Sequence, residues 1–101
     1  MSLYQVVFHA DIAIDYDEGY YWYESQRDGL GEQFLAAIRR KIEDILQVPE
    51  AYSVKSKKGY REVKIDTFPF VIVYKIYKKQ KTIFVASIHH ERKHPRKKYR
   101  R

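Results

Sequence analysis

The spacing of hydrophobic side chains changes along the chain and divides it into segments of different predicted structure. The run LYQVVF at residues 3–8 combines β-branched and aromatic side chains and predicts a short strand. Beyond Ala10 the apolar positions recur at helical intervals of four, four and three residues. This stripe consists of Ile12, Tyr16, Tyr20 and Tyr23. Most carboxylates of the segment, Asp15 among them, fall off the stripe, and Gly19 is a mild weakness in the predicted helix.

A second helix is predicted after a glycine-containing turn. Asp28 is placed to cap its N-terminus, and Gly29 and Gly31 give the chain freedom to reverse. The apolar stripe of this helix consists of Leu35, Ile38, Ile42 and Ile45. Pro49 disfavours helical geometry in the preceding residue, so the helix should stop by Val48. Because the connection is short, the two helices should form an antiparallel hairpin.

Three further strands are predicted after a polar, basic loop at residues 53–59. The segment YREVKI at 60–65 alternates apolar and polar side chains, and the runs at 68–77 and 82–90 are rich in β-formers. Only KKQK separates the last two runs, which predicts an antiparallel hairpin. The order predicts an α+β fold of two layers, β-α-α-β-β-β, with the helical hairpin packed on one face of a small, mostly antiparallel sheet.

Alternation along the last two strands predicts which side chains face the helices. The side chains expected to face them are Phe70, Ile72, Tyr74 and Ile76. The opposite side of the sheet, called here the open face, should carry Val71, Val73, Lys75 and Tyr77, joined from the last strand by Val85, Ser87 and His89.

The composition is that of one small folded domain. With 101 residues and 45% apolar content, the chain can build a single core. The absence of cysteine excludes disulfides and thiolate zinc sites. No apolar run approaches the ~20 residues of a membrane span, and no signal-peptide pattern is present. We therefore expect a cytoplasmic protein without membrane contact, with residues 1–91 as a single domain and 92–101 as a basic C-terminal tail.

The net charge of +7 conceals an uneven distribution along the chain. Residues 1–36 contain seven carboxylates and one cation, whereas the remaining residues contain 19 cations and six carboxylates. The end of the chain, HHERKHPRKKYRR at 89–101, carries seven of these cations and one carboxylate. Such a tail could bind nucleic acid, with Tyr99 as a stacking surface, or remain solvated; it could also dock against the acidic helical hairpin, within one chain or across a dimer.

Three segments together resemble the RelE/ParE superfamily of toxins from type II toxin-antitoxin (plasmid stabilisation) modules. They are WYESQRDGLGEQFLAAI at 22–38, YREVKIDTFPFVIVYKI at 60–76 and VASIHHERKHP at 85–95. The resemblance covers nearly the whole chain in the family's order. It implies a toxin that is neutralised by a cognate antitoxin. It also implies one of two targets, since RelE-like members cleave messenger RNA on the ribosome and ParE-like members inhibit DNA gyrase.

Val71 favours the ParE-like branch. Ribonuclease members of the family place an Arg at this position to hold the scissile phosphate, and an apolar side chain cannot stabilise the charge that develops there. Three residues would be catalytic if the chain were nonetheless a ribonuclease: His89, Arg61 and Arg92. We favour structural roles for His89 and Arg61, with the Arg61 stem at the core edge and its guanidinium bound to a carboxylate or carbonyl.

The remaining predictions concern binding. The residues predicted to contact the target are Lys75, Tyr77, Arg92, Lys93, Arg96, Lys97 and Lys98. The residues predicted to contact the antitoxin are Tyr21, Trp22, Val71 and Val73. His90, Glu91 and His94 form too weak a pattern for a metal site, and no cofactor is expected. A RelE-like ribonuclease, a non-toxic binding module for protein or nucleic acid, and a homodimer remain as alternatives.

Overall fold

The structure is a computed structural model that describes residues 3–93 and 98–101. The elements, in chain order, are β1 (Gln5–Phe8), α1 (Ile12–Gln26), α2 (Leu30–Gln47), a 3₁₀ turn (Pro49–Ala51), β2 (Arg61–Lys64), β3 (Phe70–Tyr77) and β4 (Thr82–His90). The predicted order of two helices between the first and second strands is therefore confirmed, and α2 stops just before Val48 as Pro49 requires.

The four strands form one sheet in the order β1-β4-β3-β2. β2 with β3 and β3 with β4 pair antiparallel, whereas β1 pairs parallel with β4. The helical hairpin connects β1, at one edge of the sheet, to β2, at the opposite edge. The predicted two-layer α+β class is confirmed, with a mixed sheet in which one of three pairings is parallel.

The main core lies between the helices and one face of the sheet. Helix α2 contributes the predicted stripe, of which Ile38, Ile42 and Ile45 are buried and Leu35 is half-buried. From β3, Ile72 and Tyr74 are fully buried in this core, and Phe70 and Ile76 pack at its margin. These four are the side chains that the alternation of β3 assigned to the helices, and the prediction is confirmed.

Gly19 has a packing role that its low helix propensity does not indicate. A Cβ built on this residue would lie 2.4 Å from Cε2 of Phe34, a distance that real side chains do not adopt. Phe34 itself is completely buried and contacts the rings of Tyr23, Phe68 and Phe70. The missing side chain of Gly19 lets α1 approach this aromatic cluster, a packing role that helix propensity alone could not indicate.

The prediction that Asp28 caps α2 is also wrong. The residue preceding the helix is Gly29, in a left-handed conformation with φ of 87°, and it makes no side-chain cap. Its N–H instead donates to the carboxylate of Glu24, which also accepts from the N–H of Gly31 at 2.9 Å. A carboxylate at the end of α1 thus satisfies the first N–H groups of α2.

A β-bulge changes which side of the sheet the side chains of β4 point to. Val73 pairs with Ser87 but Tyr74 pairs with Val85, so Ala86 is an extra residue on β4. Val85 consequently packs in the main core with Ile83 and Ile88, and its predicted place on the open face is wrong. Period-two alternation cannot reveal an inserted residue, because the face changes at the bulge.

Candidate functional site

The free edge of β4 is closed by a buried ion pair between the two ends of the chain. β1 pairs only with residues up to Val85, which leaves the rest of that edge of β4 without a strand neighbour. The carboxylate of Asp15, on α1, accepts from the backbone N–H of Ile88 at 2.9 Å. Arg100 donates both terminal nitrogens to Asp15, at 3.0 and 3.1 Å, and one of them also to the carbonyl of Ala86.

Asp15 was expected on the solvent side of α1, and this expectation is wrong. Its side chain is completely buried, and that of Arg100 is 11% exposed. A buried carboxylate needs both a counter-charge and hydrogen-bond donors, and Arg100 and the Ile88 N–H supply them. The hypothesis that the basic tail docks on the acidic hairpin is confirmed within one chain by this pair.

The residues around Arg100 form a strap across the open face, defined here as the C-terminal strap, residues 98–101. Tyr99 stacks on Tyr60 with ring centroids 4.9 Å apart, and its hydroxyl donates to Glu62 at 2.6 Å. Lys98 forms an ion pair with the same Glu62 at 3.0 Å. The strap therefore covers the centre of the face that the helices leave uncovered.

Hydrogen bonds to the backbone of the strap hold it in place. Ser87, which is fully buried, donates its hydroxyl to the carbonyl of Lys98 at 3.0 Å, and Tyr60 donates to the carbonyl of Arg100 at 2.8 Å. Burial, followed by the hydrogen bond to Glu62, raises the pKa of Tyr99 to about 12. Burial also raises the pKa of Tyr60. Both phenols are thus kept protonated, as hydrogen-bond donation requires.

A second, smaller core lies beneath the strap. It contains Tyr60, Val73 and Ala86, with Val71, Phe84 and Tyr99 at its margin. Val73 is completely buried and Val71 half-buried, so both predicted antitoxin contacts belong to this covered surface. The other two predicted antitoxin contacts, Tyr21 and Trp22, are 68% and 62% exposed on α1. The four residues therefore lie on two different surfaces of the molecule.

Of the three residues assigned to ribonuclease chemistry, His89 and Arg92 line one pocket of about 730 Å³, and Arg61 lies outside it. Arg61 pairs with Tyr74, whose side chain faces the helices, and it donates to the carbonyls of Glu50 and Tyr52. His89, which is buried, pairs with Val71 on the opposite side of the sheet. Arg92 is exposed beyond the end of β4. The expected binding of the Arg61 guanidinium to a carbonyl is confirmed.

The residues predicted to bind the target occupy both ends of the open face. Lys75 and Tyr77 lie at the end near the β3–β4 turn, whereas Arg92 and Lys93 follow β4 at the other end and are exposed. Lys98 is engaged with Glu62 in the strap. Arg96 and Lys97 lie outside the described residues, and so does His94, which belonged to the weak metal-site pattern of the sequence. Within the described part of the chain, no group of three or more potential ligands is suited to a metal ion.

Asp15, Glu62 and Arg100 are structurally important residues that no sequence motif singled out. The only indication in the sequence was the division between an acidic first third and a basic end. That division predicted contact between the two regions but could not identify a residue on either side.

In the described residues, no helix is long and apolar enough to span a membrane.

Comparisons with known proteins agree with this architecture. The profile of the family described as "ParE toxin of type II toxin-antitoxin system, parDE" matches residues 6–95. A solved structure titled "Chromosomal ParDE TA system from P. aeruginosa" superimposes with a TM-score of 0.75 at 18% identity, covering 87% of this chain and 96% of that one. A comparison with curated protein sequences finds no match.

A second solved structure shares the fold at a greater distance. It is a double arginine-to-alanine mutant of E. coli toxin RelE in the free state, with a TM-score of 0.64, 17% identity and coverage of 91% of this chain and 86% of that one. The structural likenesses support the fold, and the family profile extends over most of the sequence. The chain therefore belongs to the ParE toxin family of type II toxin-antitoxin systems, within the RelE/ParE superfamily.

Proposed function

We propose that this ParE-family toxin acts by binding DNA gyrase rather than by cutting RNA. The observation that carries the proposal is the chemistry beside His89, where β3 presents Val71 and the guanidinium of Arg61 lies on the other side of the sheet. Metal-free RNA cleavage needs a cation that holds the scissile phosphate and an acid–base pair in the same pocket. His89 shares a pocket with Arg92 and Lys93, but Val71 supplies no cation from β3, and the Arg61 guanidinium is bound to the carbonyl of Tyr52 instead. The proposal requires the toxin to act in the cytoplasm, the compartment expected from its sequence.

The target-binding surface in this proposal includes the cations that follow β4. Arg92 and Lys93 are exposed, and neither is paired with a carboxylate of the described residues. Exposed, clustered cations accelerate association with an acidic partner and orient it. Arg96 and Lys97 belong to the same proposed surface on the basis of sequence.

A supercoiling assay with purified gyrase and relaxed plasmid tests the proposal. The toxin should inhibit supercoiling, and a double variant, Arg92→Gln with Lys93→Gln, should inhibit less well. The matched control is Arg39→Gln with Arg40→Gln, which removes the same charge from exposed positions on α2. Cleavage of transcripts on translating ribosomes, with gyrase unaffected, would refute the proposal in favour of a RelE-like ribonuclease.

We also propose that an antitoxin of the ParD type neutralises the toxin through an acidic segment. Tyr21 and Trp22 offer exposed aromatic surface on α1, which suits a segment that folds on binding. Contact with Val73 would in addition require displacement of Tyr99, since Val73 is buried beneath the strap. An acidic segment on that side would replace Glu62 and Asp15 as the partner of the strap cations.

The salt dependence of antitoxin binding tests whether an acidic segment is involved. If acidic residues of the antitoxin bind the basic end of the toxin, affinity should fall as salt is raised from about 0.05 to about 0.5 M, because added ions screen exposed charges. Titration calorimetry at several salt concentrations would show the trend. Equal affinity throughout that range would contradict an electrostatic contribution and leave the aromatic surface of α1 as the main contact.

A further inference from the structure

The open face carries a second feature, separate from the strap contacts, at its end near the β3–β4 turn. Here the chain encloses a groove of about 480 Å³, called the basic groove, within the size range of small-molecule sites. Its lining includes three cations and three aromatic rings, contributed by Lys58, Lys75, Arg101, Tyr60, Tyr77 and Phe84. Cations and flat apolar rings in one concave surface indicate a ligand that combines negative charge with a planar ring.

No carboxylate side chain of the described residues neutralises the cations of the basic groove. No carboxylate side chain lines it, and none of the described carboxylates forms an ion pair with Lys58, Lys75 or Arg101. The neighbouring strap differs, because Lys98 and Arg100 are both engaged by carboxylates. Like charges gathered around one concavity repel each other, and an anion placed among them would relieve that repulsion.

The aromatic residues hold one of these cations in position. The ammonium nitrogen of Lys75 lies 5.4 Å from the ring centroid of Tyr60 and 5.4 Å from that of Tyr77. Tyr60 is buried and fixed by stacking on Tyr99, whereas Tyr77 is 40% exposed. Lys75 is therefore positioned by cation–π contacts, and the exposed part of Tyr77 remains available for a ring brought by a ligand.

We propose that the basic groove binds a nucleoside phosphate. The phosphate would lie among Lys58, Lys75 and Arg101, and the base would stack on Tyr77, a contact open to every base because each has a π face. The ligand could be a free nucleotide or one residue of a single-stranded nucleic acid. The proposal does not depend on gyrase, although Lys75 and Tyr77 also belong to the predicted target-binding surface.

Direct binding to the purified toxin, with gyrase absent, tests the proposal. The probes are inorganic phosphate, AMP and a fluorescent oligothymidylate, measured by calorimetry or fluorescence anisotropy. Lys75→Gln and Lys58→Gln should each weaken AMP binding about tenfold, the effect of losing one charge-assisted hydrogen bond. Tyr77→Ala should weaken AMP binding but leave phosphate binding unchanged. Thermal unfolding of every variant checks that the fold is intact.

Lys64→Gln is the matched control, since Lys64 is an exposed lysine of β2 at the far end of the sheet. It should leave AMP binding unchanged. An equal loss with Lys64→Gln and Lys75→Gln would overturn the proposal, because binding would then follow net charge alone. Absence of binding by both AMP and the oligonucleotide would also overturn it, as would phosphate binding as tight as that of AMP.

The two nucleotide probes distinguish the source of the ligand. Oligonucleotide binding much tighter than AMP binding, and weakening steeply with salt, would support a site on a nucleic-acid strand. Similar affinities would support a free nucleotide. The gyrase assay reports independently: a Lys58→Gln variant, changed outside the predicted target-binding residues, that loses AMP binding yet still inhibits supercoiling would support the groove as a separate site. If the toxin inhibits supercoiling but binds neither AMP nor the oligonucleotide, the nucleotide-binding proposal is refuted and the gyrase proposal is not.

Discussion

At the scale of single residues, Asp15 is the clearest departure from what the spacing of apolar and polar residues indicates. A charged residue in an amphipathic helix is ordinarily assigned to the solvent side. Asp15 is buried because Arg100, 85 positions later, and the N–H of Ile88 satisfy it. A local pattern contains no information about a partner that far away, so the stripe of α1 could be predicted but its buried carboxylate could not.

Loss of the Asp15 charge should destabilise the protein strongly. Asp15→Asn leaves the Arg100 guanidinium without a counter-charge, and breaking a buried ion pair typically costs about 3–5 kcal/mol. The free energy of unfolding in urea measures the effect. Asp17→Asn removes the same charge from an exposed position of α1 and should change that free energy by less than about 0.5 kcal/mol. Equal effects of the two variants would show that the ion pair is not stabilising.

Gly19→Ala should also destabilise, against the direction expected from helix propensity. Alanine in a helix interior ordinarily gains about 1 kcal/mol over glycine. At Gly19 the new Cβ would overlap the Phe34 ring, and overpacking of this kind costs about 1–3 kcal/mol. Ala13→Gly, at an exposed position of α1, provides the propensity control. A stabilised Gly19→Ala protein would contradict the close packing of α1 against Phe34.

At the scale of elements, the sequence predicts existence and order better than ends and caps. The hydrophobic spacing identified both helices and all four strands, and the β4 boundaries were correct. The turn between the helices was not, because Glu24 reaches forward from α1 to cap α2 in place of Asp28. Side-chain caps from the preceding helix depend on how two helices cross, which the sequence of the turn does not specify.

The two candidate caps can be separated by mutation. Glu24→Ala should lower the free energy of unfolding by about 0.5–2 kcal/mol, the usual cost of losing an N-terminal cap. Asp28→Ala, at the position that the sequence favoured, should have little effect, since Asp28 is exposed and makes no cap. Chemical denaturation of the two variants under identical conditions provides the comparison. A larger loss for Asp28→Ala would reassign the cap.

At the scale of the whole molecule, the strap joins regions that are distant in sequence into one closed structure. Tyr99 contacts Tyr60 and Glu62 at the β2 side of the sheet, and Arg100 reaches α1 at the β4 side. The open face was predicted as the side of the sheet opposite the helices. The strap buries its centre, and surface remains available at the basic groove and beyond β4.

Alkaline pH should weaken the strap. The pKa of Tyr99 is about 12 in the folded protein against an ordinary value of 10.0. Because the folded state holds this proton more tightly, its contribution to stability is complete below about pH 10 and is lost as pH rises towards about 12. Unfolding free energies measured across this range should fall less for Tyr99→Phe than for the unaltered chain. Parallel pH profiles would exclude Tyr99 as a source of the loss.

The span of 85 residues between Asp15 and Arg100 has a consequence during protein synthesis. At about 5–20 residues per second, the ribosome needs roughly 4–17 s to add Arg100 after Asp15. During that interval the carboxylate of α1 lacks the Arg100 guanidinium, and burial of a charge against β4 is less favourable without it. The contact that ties the strap to α1 therefore forms late in synthesis, after the residues of both helices and all four strands have been added.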